Sequence, residues 1–318
     1  MDNLTHSLAG AVLGQMGLKT KTGLAMPTLI IAANLPDIDA VATLLGGHQH
    51  LAIRRGITHG PIALVLLPIM LWGIMLAWDK WRPNEKRLPM HKGWLLALAY
   101  IGTISHPALD WLNNYGIRLL EPFSSRWFYG DTIFIIDIWI WAALIVSVWL
   151  SRRREKRAVG SWQRPAWIGF TAICAYIFAN GLITNRAESG ARTLVIARYD
   201  PTASLPVPLV VANAVPVEFW RREIAWRDAQ DYGFGEYVLG QGARLTGETR
   251  PHNMGKGTSR GEPLHMVVEP GSDAAAYLFW SRMPVLEHEG GEHVIKDQRF
   301  LDPRVSGRFQ VTLPVPAR

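Results

Sequence analysis

The sequence predicts a mainly α-helical, multi-span membrane domain followed by a mostly β extramembrane domain. Long uncharged apolar runs occur only before about residue 185. Lysines and arginines cluster beside those runs. After residue 190 come short β-branched and aromatic segments, among them LVIARY, PLVVANAV, HMVVEP, AAAYLFWSRM and FQVTLPV, separated by Gly, Pro, Asn and Asp. The hydrophobic content of 49% is ordinary for a soluble protein because it averages two unlike halves. The expected domains are 1–185 and 190–318.

Four long segments are expected to span a membrane. Residues 61–78 carry no charge and are long enough for a hydrocarbon core of about 30 Å. Residues 93–112 are also long enough but contain His106 and Asp110. Residues 133–150 contain one carboxylate, Asp137, and residues 166–183 contain none. Two short apolar helices, roughly 5–18 and 23–35, precede these; each reads as a short span or as half of a re-entrant hairpin. In the second domain, Phe219–Ala229 reads as a short amphipathic helix.

The net charge of +7 concentrates in Lys80, Arg82, Lys86, Arg87 and Lys92 and in Arg152, Arg153, Arg154, Lys156 and Arg157. Placement beside apolar runs favours membrane topology over nucleic-acid binding, and no nucleic-acid partner is expected. Putting both basic loops in the cytoplasm sends residues 36–60, 113–132 and everything after about 185 to the opposite face. No basic stretch precedes the first apolar run, so no cleaved signal peptide is expected. The single cysteine, Cys174, rules out intramolecular disulfides and Cys-based zinc sites.

Ionisable residues in or beside membrane spans are costly, which makes them functional candidates. His6, Asp37, Asp39, His59, His106, Asp110 and Asp137 all fall near one face on this topology. His106 and Asp110, at i and i+4, share a helix face about 6 Å apart and can ligate one ion. Mixed imidazole and carboxylate ligation suits zinc, and also manganese or iron. Asp137 reads either as support behind the ligands or as an ion-pair partner of Arg118 or Arg126. His288-Glu289-Gly290-Gly291-Glu292-His293 fits neither common zinc-helix spacing, and its glycines favour a hairpin turn. His252 and His265 read as structural.

The opening Met1–His6, the Asn34–Asp39 turn, the Arg55–His59 stretch, the His106–Asp110 pair and the run from Tyr115 to Trp141 resemble the YdjM-like family of bacterial inner-membrane proteins, described as membrane-bound metal-dependent hydrolases. The resemblance covers about residues 1–185. Trp280–Arg282 and Asp297–Phe300 more weakly resemble an appendage carried by some members. The family is distantly similar to zinc-dependent phospholipases C and P1-type nucleases. That similarity implies one site from Asp37, His59, His106 and Asp110, with His6 and a bridging Asp110 contributing to a second ion and Asp39 competing with Asp37. A third site, which would need further histidines, has no counterpart before His252.

The chemistry expected is hydrolysis by metal-activated water, with one or two ions, most readily zinc. Asp39 or Asp131 would serve as base or orient a ligand histidine. Arg54 and Arg55 would hold an anionic phosphoester or, equally, contact lipid headgroups. A site at the headgroup layer points to a lipid or lipid-linked substrate. The rivals are an ion-coupled transporter using Asp110 and Asp137, and a non-catalytic scaffold whose β domain binds a partner.

Overall fold

The computed structural model describes residues 1–199, 207–254, 268–289, 292–301 and 309–313. The chain divides into two compact units: Met1–Asp39 with Arg55–Gly181, and Ala40–Arg54 with Leu182–Arg318.

The first unit is helical. Helix α1 (Asn3–Gln15) begins at Asp2, whose carboxylate accepts the Leu4 and Thr5 amides at 3.0 and 3.1 Å and caps the first turn. Helix α2 (Ala25–Ala32) is followed by a 3-10 stretch, Leu35–Leu45. A single 3-10 turn, Ile57–His59, leads into α4 (Pro61–Trp81), with proline at the first helical position. Then come α5 (Lys92–Trp111), α6 (Ile138–Lys156) and α7 (Arg164–Ile196), which continues into the second unit.

Two of these helices, α4 and α7, are long and apolar enough to cross a membrane; a third crossing arises if α2 and Leu35–Leu45, bent by 42°, count as one. The four long spans expected from the sequence therefore reduce to two. Segment 93–112 does form α5, but Thr103, Ser105, His106, Pro107 and Asp110 dilute its apolar content. Segment 133–150 loses its first five residues, because α6 starts only at Ile138 and Arg152–Arg154 end its apolar run. The two short N-terminal helices are present as α1 and α2.

Helices α1, α2 and α5 meet at small residues. A Cβ on Gly10 would stand 2.7 Å from the Leu29 carbonyl oxygen, and one on Gly102 would stand 2.6 Å from the Ala32 Cβ. These close approaches bring backbones together, as small residues do in membrane helix packing. The buried face of α5 runs Leu95, Leu98, Ala99, Gly102, Thr103, His106, Pro107, Asp110. That three- and four-residue spacing is one helical stripe, so Thr103, His106 and Asp110 extend the face that packs.

In the second unit, strands β1 (Leu209–Ala214), β2 (Arg221–Arg227), β3 (Asp231–Val238) and β4 (Gly242–Pro251) form an antiparallel meander. Strands β5 (Pro284–Glu289), β6 (Glu292–Asp297) and β7 (Gln310–Leu313) form a second sheet. Ile183, Ala187, Ala191 and Val195 of α7 pack on Val210, Ala212, Ile224 and Trp226. That packing keeps the β-branched LVIARY stretch helical as far as Ile196. AAAYLFW likewise forms helix α8 (Asp273–Trp280), started by the Ser272 cap and its run of alanines. Conversely, the expected helix at Phe219–Ala229 is β2, where cross-strand burial of Ile224 and Trp226 prevails. Ala40–Arg54 belongs here too: α3 (Gln49–Ile53) packs on α8, the His48 amide donates to Asp273 at 2.9 Å, and Gln49 Nε2 donates to the Gly271 carbonyl at 2.9 Å.

His288 and His293 stand opposite each other in the β5–β6 pair with ring centroids 3.9 Å apart, a hairpin and not a zinc helix. Gly290, Gly291 and His265 lie outside the described residues, as does the start of HMVVEP. His252 Nε2 sits 3.0 Å from the Ala229 carbonyl.

Asp297 ties this unit together. Its carboxylate accepts from Ser281 Oγ (2.6 Å), the Arg282 amide (3.0 Å) and Arg299 Nε (2.9 Å). Burial opposes its ionisation, but the Arg299 guanidinium and these bonds hold its pKa below 3.8. The folded carboxyl thus has the lower pKa. Its stabilisation is complete above the ordinary carboxylate range and is lost as pH falls through the folded value. Asp297→Ala removes the carboxylate that faces the buried Arg299 guanidinium and should cost about 3–5 kcal/mol, seen as a lowered unfolding midpoint at neutral pH that converges on wild type in acid. Gly102→Val should separate α5 from α2, seen as a lowered unfolding midpoint in detergent beside Gly73→Val, where a side chain meets nothing within 4 Å.

Candidate metal centre

Asp37 arrives from the 3-10 stretch, His59 from the turn before α4, and His106 and Asp110 from α5. One ligand atom from each lies within 4.8 Å of all the others, and all four residues are buried. The His59 and His106 ring centroids are 5.0 Å apart, close enough for common ligation. His106 Nε2 is 3.7 Å from Asp37 Oδ1 and 3.5 Å from Asp110 Oδ2, while His59 Nε2 is 3.5 Å from the same Asp110 oxygen.

Each imidazole is aimed from behind. His106 Nδ1 donates to the Ala33 carbonyl at 2.7 Å, which turns Nε2 toward the carboxylates. His59 Nδ1 lies 2.9 Å from Thr58 Oγ1 and 3.4 Å from Asp39 Oδ2. That Asp39 oxygen also accepts from the Arg55 amide (2.7 Å) and Thr58 Oγ1 (2.9 Å). Asp37 therefore joins the four-residue group and Asp39 stands behind His59. His6 stacks on His106 at 3.8 Å between centroids, with Nε2 3.3 Å from Asp110 Oδ1. The Met1 amine also pairs with Asp110.

Arg55 is used differently from expectation. Its guanidinium is buried, with Nη2 3.1 Å from Asp110 Oδ1 and Nε 3.0 Å from Oδ2; Nη1 donates to Asn113 Oδ1 at 2.9 Å. It also lies over the Tyr115 ring at 4.7 Å. In this structure the guanidinium pairs with the site's own carboxylate. Its φ of +53° turns the chain so that amide and side chain face Asp39 and Asp110 respectively.

The remaining expected residues are placed elsewhere. Arg54 is half-buried at the C-terminal cap of α3. Asp131 is buried at φ +49° in the loop whose Gly130 abuts the Trp111 carbonyl, and it is not one of the four. Asp137 caps α6 by accepting the Trp139 and Ile140 amides at 3.0 Å and receives the Tyr176 hydroxyl at 3.0 Å. Its place at a helix start explains that use better than pairing with Arg118 or Arg126. Sequence reasoning missed Thr58, Asn113 and the Ala33 carbonyl. Asn113 lies three residues beyond Asp110 at the end of α5, a spacing that offered a signal; a backbone carbonyl offers none.

The donor set fits a divalent cation. Nε2 of His6, His59 and His106 is buried and makes no hydrogen bond. Buried polar atoms without partners are costly and rare, and three imidazole nitrogens converging on a carboxylate are what an ion satisfies. Two imidazoles and two carboxylates suit zinc, manganese or iron. Asp39→Ala removes no ligand from the group of four but frees the His59 ring; cation affinity should fall about 10–100-fold in a competitive chelator titration, against near-complete loss for His106→Ala.

Searches of curated proteins and of solved structures found no match. The family model for the YdjM inner membrane protein matches residues 1–187, a stretch that contains all four residues of the centre. The chain therefore belongs to the YdjM inner membrane protein family.

Proposed function

We propose that this protein is a membrane-bound, metal-dependent hydrolase that acts on a phosphoester, lipid or lipid-linked, at the membrane surface. The observation that carries this reading is the convergence of Asp37, His59, His106 and Asp110, with imidazole nitrogens left without hydrogen bonds. The order Asp, His, then His-x-x-x-Asp also agrees with the resemblance to zinc-dependent phospholipases C, which favours zinc. A bound divalent cation supplies Lewis acidity at this point. The protein's part is to hold it: Asp39 and Thr58 orient His59, the Ala33 carbonyl orients His106, and Arg55 balances Asp110. His6, stacked on His106, is placed to accept a proton or to join a second ion. The basic loops favour an extracytoplasmic centre and C-terminal domain, which reporter fusions at the C-terminus would test.

The test is elemental analysis of detergent-purified protein beside hydrolysis assays on a synthetic phosphodiester and on membrane phospholipid. Wild type should carry a stoichiometric divalent metal and release product; His106→Ala with Asp110→Ala should lose both. Wild type without metal sinks the metal centre. Metal without hydrolysis of any phosphoester sinks the hydrolase and leaves the centre.

A further inference from the structure

We propose that residues 40–47, within the otherwise β-rich unit, form a lipid-inserted loop that fastens that unit to the bilayer. The stretch Ala40-Val41-Ala42-Thr43-Leu44-Leu45-Gly46-Gly47 has no ionisable side chain. Its large residues face outward: Val41 is 69% exposed, Leu45 64% and Leu44 84%. Val41 and Leu44, three apart, share one side of the 3-10 stretch and Leu45 stands a third of a turn away, while Ala42 is buried. The Thr43 hydroxyl donates to the Ala40 carbonyl at 2.7 Å, so the one polar side chain of the tip already has an acceptor inside the loop.

The base of the loop is fixed. The His48 amide and Gln49 Nε2 bond Asp273 at 2.9 and 3.2 Å, Leu51 is buried, and a side chain at Gly47 would strike the Asp273 carboxylate. The apolar tip is thus presented by a rigid support. Soluble surfaces rarely gather large apolar residues this way without a partner.

Two observations make that partner lipid. Leu35–Leu45, taken together with α2, reaches the apolarity of a membrane span, and the chain belongs to an inner-membrane family. A second copy fits poorly. Three aliphatic side chains on one short stretch cannot supply the roughly 800 Å² per partner that a stable protein interface uses. The same side chains suffice for shallow burial in the boundary between headgroups and acyl chains. The inference does not depend on the proposed hydrolase activity.

The test uses full-length protein with Cys174→Ser, which leaves no native thiol, and Leu44→Cys labelled with bimane. It is reconstituted into phosphatidylcholine–phosphatidylglycerol vesicles with or without brominated acyl chains. Insertion predicts blue-shifted emission, loss of most emission in brominated lipid, and little response to aqueous iodide. Glu248→Cys on the exposed β4 strand serves as the aqueous reference and should show the reverse pattern. Val41→Cys gives the same reading if Leu44→Cys does not fold. A Leu44 label quenched by iodide overturns the proposal. So does a label reached by neither quencher, because protein would then cover the loop.

Discussion

The Asp110 carboxylate is the charge around which the helical unit is arranged. It is fully buried, and an ionised carboxyl withdrawn from water costs several kcal/mol unless compensated. Compensation comes from far apart in sequence: Arg55 and the Met1 amine pair with it, and the rings of His6, His59 and His106 converge on it. Each demand propagates outward. Arg55 adopts a left-handed backbone conformation at roughly 1–2 kcal/mol, stabilised where the Arg118 amide donates to its carbonyl at 2.9 Å. Helix α5 must lie almost against α2, which only Gly102 and Ala32 permit.

Much of this was legible. The His106–Asp110 spacing, the Pro-Asp-Ile-Asp turn and the histidine before α4 each announced themselves as polar residues where apolar ones were due. Their gathering was expected from charge asymmetry between loops, and the structure brings Asp37, His59, His106 and Asp110 together. The pairing of Arg55 with Asp110 was not legible, because a basic residue beside a site looks the same in sequence whether it meets a ligand or a buried carboxylate. The capping role of Asp137 was not legible, because an apolar run from residue 133 does not reveal that the helix begins only at Ile138. Span number was overestimated for a related reason. Apolar content was read by length, and length does not reveal where a helix begins or how far polar residues along its buried stripe lower its hydropathy.

The β-rich unit solves a similar electrostatic problem by simpler means. Asp297 and Arg299 are two residues apart, and Trp280 and Phe300 lie against the guanidinium with ring distances of 5.2 and 5.1 Å. Here the counter-charge is local, within the stretch Asp297-Gln298-Arg299-Phe300. The secondary structure around it was less legible in sequence. LVIARY and AAAYLFW carry β-type residues yet are helical, because helix stripes with buried alanines outweigh individual propensity.

The placement of Ala40–Arg54 has a consequence for how such proteins can be divided. The matched family region ends at residue 187, but fifteen consecutive residues from its interior are structural members of the other unit. Cutting the gene at that border would yield a helical fragment carrying a displaced apolar loop and a β-rich fragment lacking the wall that covers α8. The two halves are interleaved at the level of the reading frame. Residues 40–54 thus lie inside the matched stretch of sequence while packing with the β-rich unit, so residue 187 bounds the family match and not the fold.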